Sequence, residues 1–167
     1  MSSTSENLIL IGMPGAGKST LGVLLAKTLV RNFIDSDVMI QASEGKRLQE
    51  IIAQQGLNAF LDLESDYVCG LEISGAVIAT GGSVVNRPAS MAHLARLGKI
   101  IYLDVLFKTL EQRIGDLDSR GVARKPGQSL ADLFEEREPL YRKYGQLTVN
   151  CSNDSHDTSI KNILASL

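Results

Sequence analysis

The chain has 167 residues, a formal net charge of −2, 44% hydrophobic and 22% charged residues, and a pI near 5.7. That balance suits one soluble domain with a proper core and gives no electrostatic footprint for nucleic acid or an anionic membrane. Cys69 and Cys151 are too few for a disulfide framework or a zinc site. Residues 1–6 lack the pattern of a signal peptide and no run can span a bilayer, so the expected location is the cytoplasm.

Asn7, Leu8, Ile9, Leu10 and Ile11 form a short apolar, β-branched run that reads as a buried strand. Residues 12–20, GMPGAGKST, follow directly and contain G-x4-G-K-[ST] between Gly12 and Ser19. Leu21, Leu24, Leu25, Thr28 and Leu29 then recur at helical spacing. A strand, this loop and a helix are the context in which the motif binds nucleotide phosphates. Glycines let consecutive N–H groups turn toward an anion, and the helix points its positive end at it. Gly12, Gly15, Ala16, Gly17, Lys18, Ser19 and Thr20 are the candidate nucleotide site, with Lys18 for the outer phosphates and Ser19 for Mg²⁺.

Asn32, Phe33 and Ile34 read as a second strand ending at Asp35-Ser36-Asp37. Helices are expected over 38–43, 48–54 and 57–73, the last setting Leu57, Phe60, Leu61 and Val68 against Asp62, Glu64 and Asp66. A third strand over 76–79 ends at Thr80-Gly81-Gly82-Ser83, a helix runs over 88–97, a fourth strand over 99–103 and a helix over 106–114. Between 115 and 128 the periodicity stops among glycines and charges, so this reads as a mobile surface loop. Ser129 is a good N-cap for the next helix, with Pro139 as a break or kink. A fifth strand over 147–149 and a helix over 158–167 close the chain. The alternation implies a parallel sheet covered on both faces, with ligands beyond the carboxyl ends of its strands.

Several residues there could carry chemistry. Asp35 and Asp37 suit a metal-side carboxylate and a group that orients or deprotonates a hydroxyl, and equally an Asx turn and helix cap. Gly81 and Gly82 suit a tight turn, or a close approach of backbone N–H groups to a ligand. Arg120, Arg124 and Lys125 are either solvated charges or a closing loop's contribution to a transferring phosphoryl group. Arg137, among Glu135, Glu136 and Glu138, is either part of a surface ion-pair face or an inward fork for a carboxylate. His93 and His156 have no visible partner and are assigned to structure. The match Asp118-x-x-Gly121 to a GTPase is isolated, without a downstream Asn-Lys-x-Asp.

The ordered set LIGMPGAGKSTLG, FIDSD, ATGGSVV, the charged loop and REPLY resembles the shikimate kinase family, within the nucleoside-monophosphate-kinase-like P-loop group. The resemblance implies an α/β fold: three layers, a five-stranded parallel sheet and a lid at about 115–128, with an acceptor-binding region at about 38–72. It implies ATP as donor, Mg²⁺ as metal, and phosphorylation of a small hydroxylated metabolite, shikimate first. By position, Lys18 and Ser19 match phosphate and metal residues, Asp35 a metal-side carboxylate, and Asp37 the aspartate of the acceptor hydroxyls. Gly81 and Gly82 match substrate glycines, Arg113 an adenine-side arginine, Arg120 the lid arginine, and Arg137 one arginine for the acceptor carboxylate. The expected partners are ATP and the acceptor alone, with the chain acting as a monomer.

Three positions depart from the pattern. Leu61 stands where a second carboxylate-gripping arginine follows the Phe, Ser83 stands for a third glycine, and Arg120 precedes Gly-Val rather than Pro-Leu. The donor half is thus intact and the acceptor half altered. The alternatives are a related kinase for another hydroxyl compound, and an ATP-binding module without kinase activity.

Overall fold

The computed structural model describes residues 6–152 and 155–167, so the polar start at 1–5 lies outside it. The apolar runs become β1 (Asn7–Ile11), β2 (Asn32–Asp35), β3 (Ala76–Ala79), β4 (Gly98–Asp104) and β5 (Leu147–Asn150). All neighbours pair in parallel, in the order β2-β3-β1-β4-β5. Every residue of β1 and β3 is buried, as a parallel sheet covered on both faces requires.

Among the described residues eight α-helices accompany the strands: α1 (Lys18–Leu29), α2 (Ser36–Glu44), α3 (Leu48–Gln55), α4 (Leu57–Cys69), α5 (Pro88–Leu97), α6 (Phe107–Arg113), α7 (Leu130–Tyr144) and, after β5, α8 (His156–Ser166). From β1 the chain crosses to β2 on one side, and every later crossover runs the opposite way. Right-handed connections therefore set α1 on one face and α5 and α7 on the other. α8 joins α1, and α4 packs on α5. The expected three-layer arrangement is the one observed.

The boundaries differ at a few ends. α4 stops at Cys69 rather than near residue 73, because Gly70 closes it with its N–H on Asp66 O. α8 starts at His156, where Ser155 Oγ accepts from Thr158 N–H. Pro139 neither breaks nor ends α7. A reciprocal Ser129–Asp132 cap starts that helix, and the buried face of Leu133, Arg137 and Tyr141 offsets the lost hydrogen bond.

The main core joins β1, β3 and β4 to α1, α5, α7 and α8. At the amino ends of the strands, buried Asn7 donates to Ile73 O (2.6 Å) and Leu97 O (2.9 Å) and accepts from Ala76 N–H. A second, smaller cluster of Ile40, Leu48, Ile51, Phe60, Leu61 and Ala123 ties α2, α3 and α4 to the 115–128 segment. That segment is not simply a run of solvated charges. Arg124 reaches Asp118 (2.5 Å) and Gln128 O (2.7 Å), and Gln128 reaches Glu136 on α7 (2.8 Å).

Candidate active site

At the carboxyl end of β1 the chain turns through Gly17 at φ 96°, a conformation glycine adopts without a Cβ penalty, straight into α1. No side chain caps α1, so its first N–H groups point at whatever the loop encloses. Lys18 lies at the centre, 8% exposed, with Nζ donating to Gly12 O (2.7 Å) and Met13 O (2.8 Å). Burial pulls its ammonium down to about 8, against the opposing pull of the Asp37 carboxylate. Gly15, Ala16, Gly17, Lys18, Ser19 and Thr20 line a cavity of about 620 Å³. Gly12 is buried at the base of the loop and is not part of the wall.

Asp35 ends β2 and does two things at once. Oδ1 accepts from the N–H groups of Asp37 (3.0 Å) and Val38 (3.2 Å), capping α2, and Oδ2 accepts from Ser19 Oγ at 2.5 Å. The cap and metal readings of Asp35 are thus compatible. Ser19 and Asp35 offer a hard cation one hydroxyl and one carboxylate beside the phosphate loop, the donor set of a Mg²⁺ that takes its remaining ligands from phosphate and water. No group of three or more His, Cys, Asp or Glu suited to a metal exists among the described residues.

Asp37, one turn further, lines the cavity. Burial first and the Asp35 charge second push its carboxyl up to about 6. Gly81 passes so close that a Cβ on it would stand 2.5 Å from Glu64 Oε1 and 2.6 Å from Asp37 Oδ1, so any larger residue would displace both carboxylates. The expectation that Gly81 offers its N–H to a ligand needs correction: that N–H is taken by Ser36 Oγ at 3.1 Å. Gly82 also lines the cavity, and its carbonyl accepts from Tyr141 Oη at 2.6 Å.

Arg137 is 2% exposed and lines the cavity, so its side chain faces inward and not along a surface ion-pair face. Its Nη2 donates to Ala123 O, and its Nε has no hydrogen-bond partner. Arg113 lies at the other end, bonded to Cys151 O (2.9 Å) and Ser152 O (3.2 Å) beside Gly15. Arg120 lines the same cavity and donates to Arg113 O (2.9 Å). Arg124 instead faces a smaller cavity of about 400 Å³ between α3 and the lid.

Leu61 is 6% exposed and packs into the small apolar cluster behind the cavity walls Leu48, Phe60 and Ala123. The acid beside it in sequence, Asp62, points outward to Arg87 (2.9 Å). The acid that reaches the site is Glu64, expected on the polar face of α4 but 1% exposed. Its spacing gave the signal: Phe60, Glu64 and Val68 are four residues apart and share the buried face. Burial, then the Asp37 charge, push its carboxyl up to about 7. His156, assigned to structure, lines the nucleotide end of the cavity with Cys151 and Ser159, a placement no local pattern signalled. His93 is structural, its Nε2 2.9 Å from Leu71 O.

One cavity therefore holds an anion-binding loop at one end and a carboxylate with a buried guanidinium at the other, the layout of a phosphoryl-transfer site. The family model for shikimate kinase matches residues 14–167. The shikimate kinase of Pseudomonas entomophila is 39% identical over 86% of this chain and 86% of its own length. That of Psychrobacter sp. is 34% identical over 100% and 94%. Among solved structures, shikimate kinase from Acinetobacter baumannii in complex with shikimate is 30% identical, with a TM-score of 0.87 over 96% of this chain and 92% of that one. A gluconokinase from Sinorhizobium meliloti, 15% identical with a TM-score of 0.57, shares the fold. The chain belongs to the shikimate kinase family, small-molecule kinases that move a phosphoryl group from ATP onto a hydroxyl.

Proposed function

We propose that this chain phosphorylates shikimate, using ATP. The observation that carries the reading is Arg137: a guanidinium buried to 2% exposure with an unpartnered Nε, lining the same cavity as the phosphate loop. A buried donor of this kind needs a partner, and an acceptor carboxylate supplies one. Asp37 lines the same cavity as Arg137 and feels the charge of Lys18, a setting in which it can orient the attacking hydroxyl and take its proton as the bond to phosphorus forms. Lys18 and the N–H groups at the start of α1 hold the outer phosphates, and Arg120 neutralises charge that builds on the transferring group. Mg²⁺, when bound at Ser19 and Asp35, supplies charge neutralisation to the phosphates. Leu48, Phe60 and Ala123 form an apolar wall suited to one face of a ring.

The test is phosphorus NMR of the protein with ATP, Mg²⁺ and shikimate. A phosphorylated product that forms at turnover rates and disappears in Lys18→Ala supports the reading. ADP release no faster than with water overturns it. One observation favours a second reading, a different hydroxyl acceptor: Leu61 brings an apolar contact where the family pattern has an arginine. A panel of polyols and hydroxy acids in the same assay separates the two.

A further inference from the structure

The acceptor end contains one buried carboxylate oxygen that phosphoryl transfer, as described, does not use. Glu64 Oε2 accepts from Ser83 Oγ at 2.8 Å, while Oε1 is buried and has no hydrogen-bond partner. Both Glu64 Oε1 and Asp37 Oδ1 lie within 2.6 Å of the point a Gly81 Cβ would occupy, so they are at most about 5 Å apart. Asp37 and Gly81 line the cavity, and Glu64 lies directly behind them. An ionised carboxylate in that setting is costly, because one oxygen is dry and unpaired and a second acid is adjacent.

The groups that face Glu64 come from several elements: Lys18 from α1, Asp37 from α2, Ser83 from the loop after β3, and Arg137 and Tyr141 from α7. Neither cation neutralises it by contact. Lys18 Nζ is held by the Gly12 and Met13 carbonyls and Arg137 Nη2 by the Ala123 carbonyl. Other polar side chains of α4 are engaged elsewhere, Asp62 with Arg87, Tyr67 with Glu44 and Ser65 with Ser90. Leu61, one turn before Glu64, brings no countercharge.

We propose that Glu64 is a positioning residue that sets the charge of acceptor this pocket takes. Uncharged, it leaves the positive field of Arg137 available to an anionic acceptor. Ionised, it joins Asp37 in cancelling that field, and an anion loses its advantage over a neutral compound of the same shape. Burial and the Asp37 charge hold the Glu64 carboxyl at about 7, so the change falls near neutral pH. The inference rests on the reading that the acceptor is a carboxylate held by Arg137.

The experiment compares KM for shikimate with KM for its uncharged methyl ester between pH 6 and 8. It uses wild type, Glu64→Gln and Glu64→Asp, with circular dichroism to check the fold. In wild type the ratio of the two KM values rises roughly tenfold across that range, as the neutral fraction of a group near 7 falls. The rise disappears in Glu64→Gln and persists in Glu64→Asp, while kcat for the ester keeps one pH profile in wild type and Glu64→Gln. A ratio that is flat in wild type, or that climbs equally in Glu64→Gln, overturns the inference alone. If neither compound is phosphorylated or bound at any pH, the proposed acceptor falls and this inference with it.

Discussion

The phosphate loop is held between β1 and α1, which place Ile9, Leu10, Ile11, Leu21 and Leu25 in the main core. The opposite group of elements is α2, α3, α4 and the 115–128 segment, whose shared core is the small cluster around Ile40, Ile51 and Phe60. The first region binds mainly through backbone N–H groups, whose positions follow from the turn itself. The second presents single side chains, Asp37, Glu64 and Arg137, each of which a single substitution can remove. Single-residue changes such as Leu61 therefore bear on the second region more directly than on the first.

Substitutions can break or sharpen that contrast. Lys18→Ala should lower kcat/KM for every acceptor by about 10²–10³, the scale of losing one charge-stabilising donor, with the unfolding midpoint little changed. An acceptor-independent loss in steady-state assays is the check. Arg137→Met should raise the acceptor KM about a hundredfold, the scale of a charge-assisted bond, and leave the KM for ATP nearly unchanged. Equal effects on both would erase the division into halves. Leu61→Arg should lower the KM for shikimate by roughly tenfold, a charge-assisted contact less the loss of apolar packing. A weaker binder would mean that this position does not reach the acceptor.

Stability gives a subtler test. The Glu64 carboxyl rises from its ordinary 4.5 to about 7 on folding, so the folded protein holds a proton that the unfolded chain releases. Stability from this group is thus complete below about 4.5 and declines as pH rises to about 7. Glu64→Gln should be more stable than wild type at pH 8 by on the order of 1–3 kcal/mol, with the gap closing near pH 4.5. Urea denaturation at both pH values reads it. The smallest effect is expected of Arg124→Ala, whose guanidinium is engaged with Asp118 and Gln128 outside the main cavity. Its kcat should stay within about twofold of wild type, as for a surface pair, whereas Arg120→Ala should not.

The donor half was legible because its chemistry is local. Seven consecutive residues, Gly12 to Lys18, contain the turn, the amides and the charge, and flanking apolar runs announce the strand and the helix. Asp37 was legible by the strand-end rule, and Arg137 by its resemblance to a family position. Its inward side chain also follows from the four-residue spacing of Leu133, Arg137 and Tyr141. What local patterns did not reveal depends on distant partners. The surroundings of Glu64, with Ser83, Gly81 and Asp37 about it, come from other segments of the chain, and His156 reaches the cavity because α8 returns beside α1. The use of the Gly81 amide by Ser36 likewise joins residues 45 positions apart.

Helix α7 has an unusual set of neighbours. Leu133, Arg137 and Tyr141 follow one another at single-turn intervals, and the latter two hold the Ala123 carbonyl of the lid and the Gly82 carbonyl of the cavity floor. A rod that grips roof and floor at once cannot slide or rotate without disturbing both. Substitutions on α4, which carries neither grip, can therefore reshape the pocket wall while the register of α7 stays fixed.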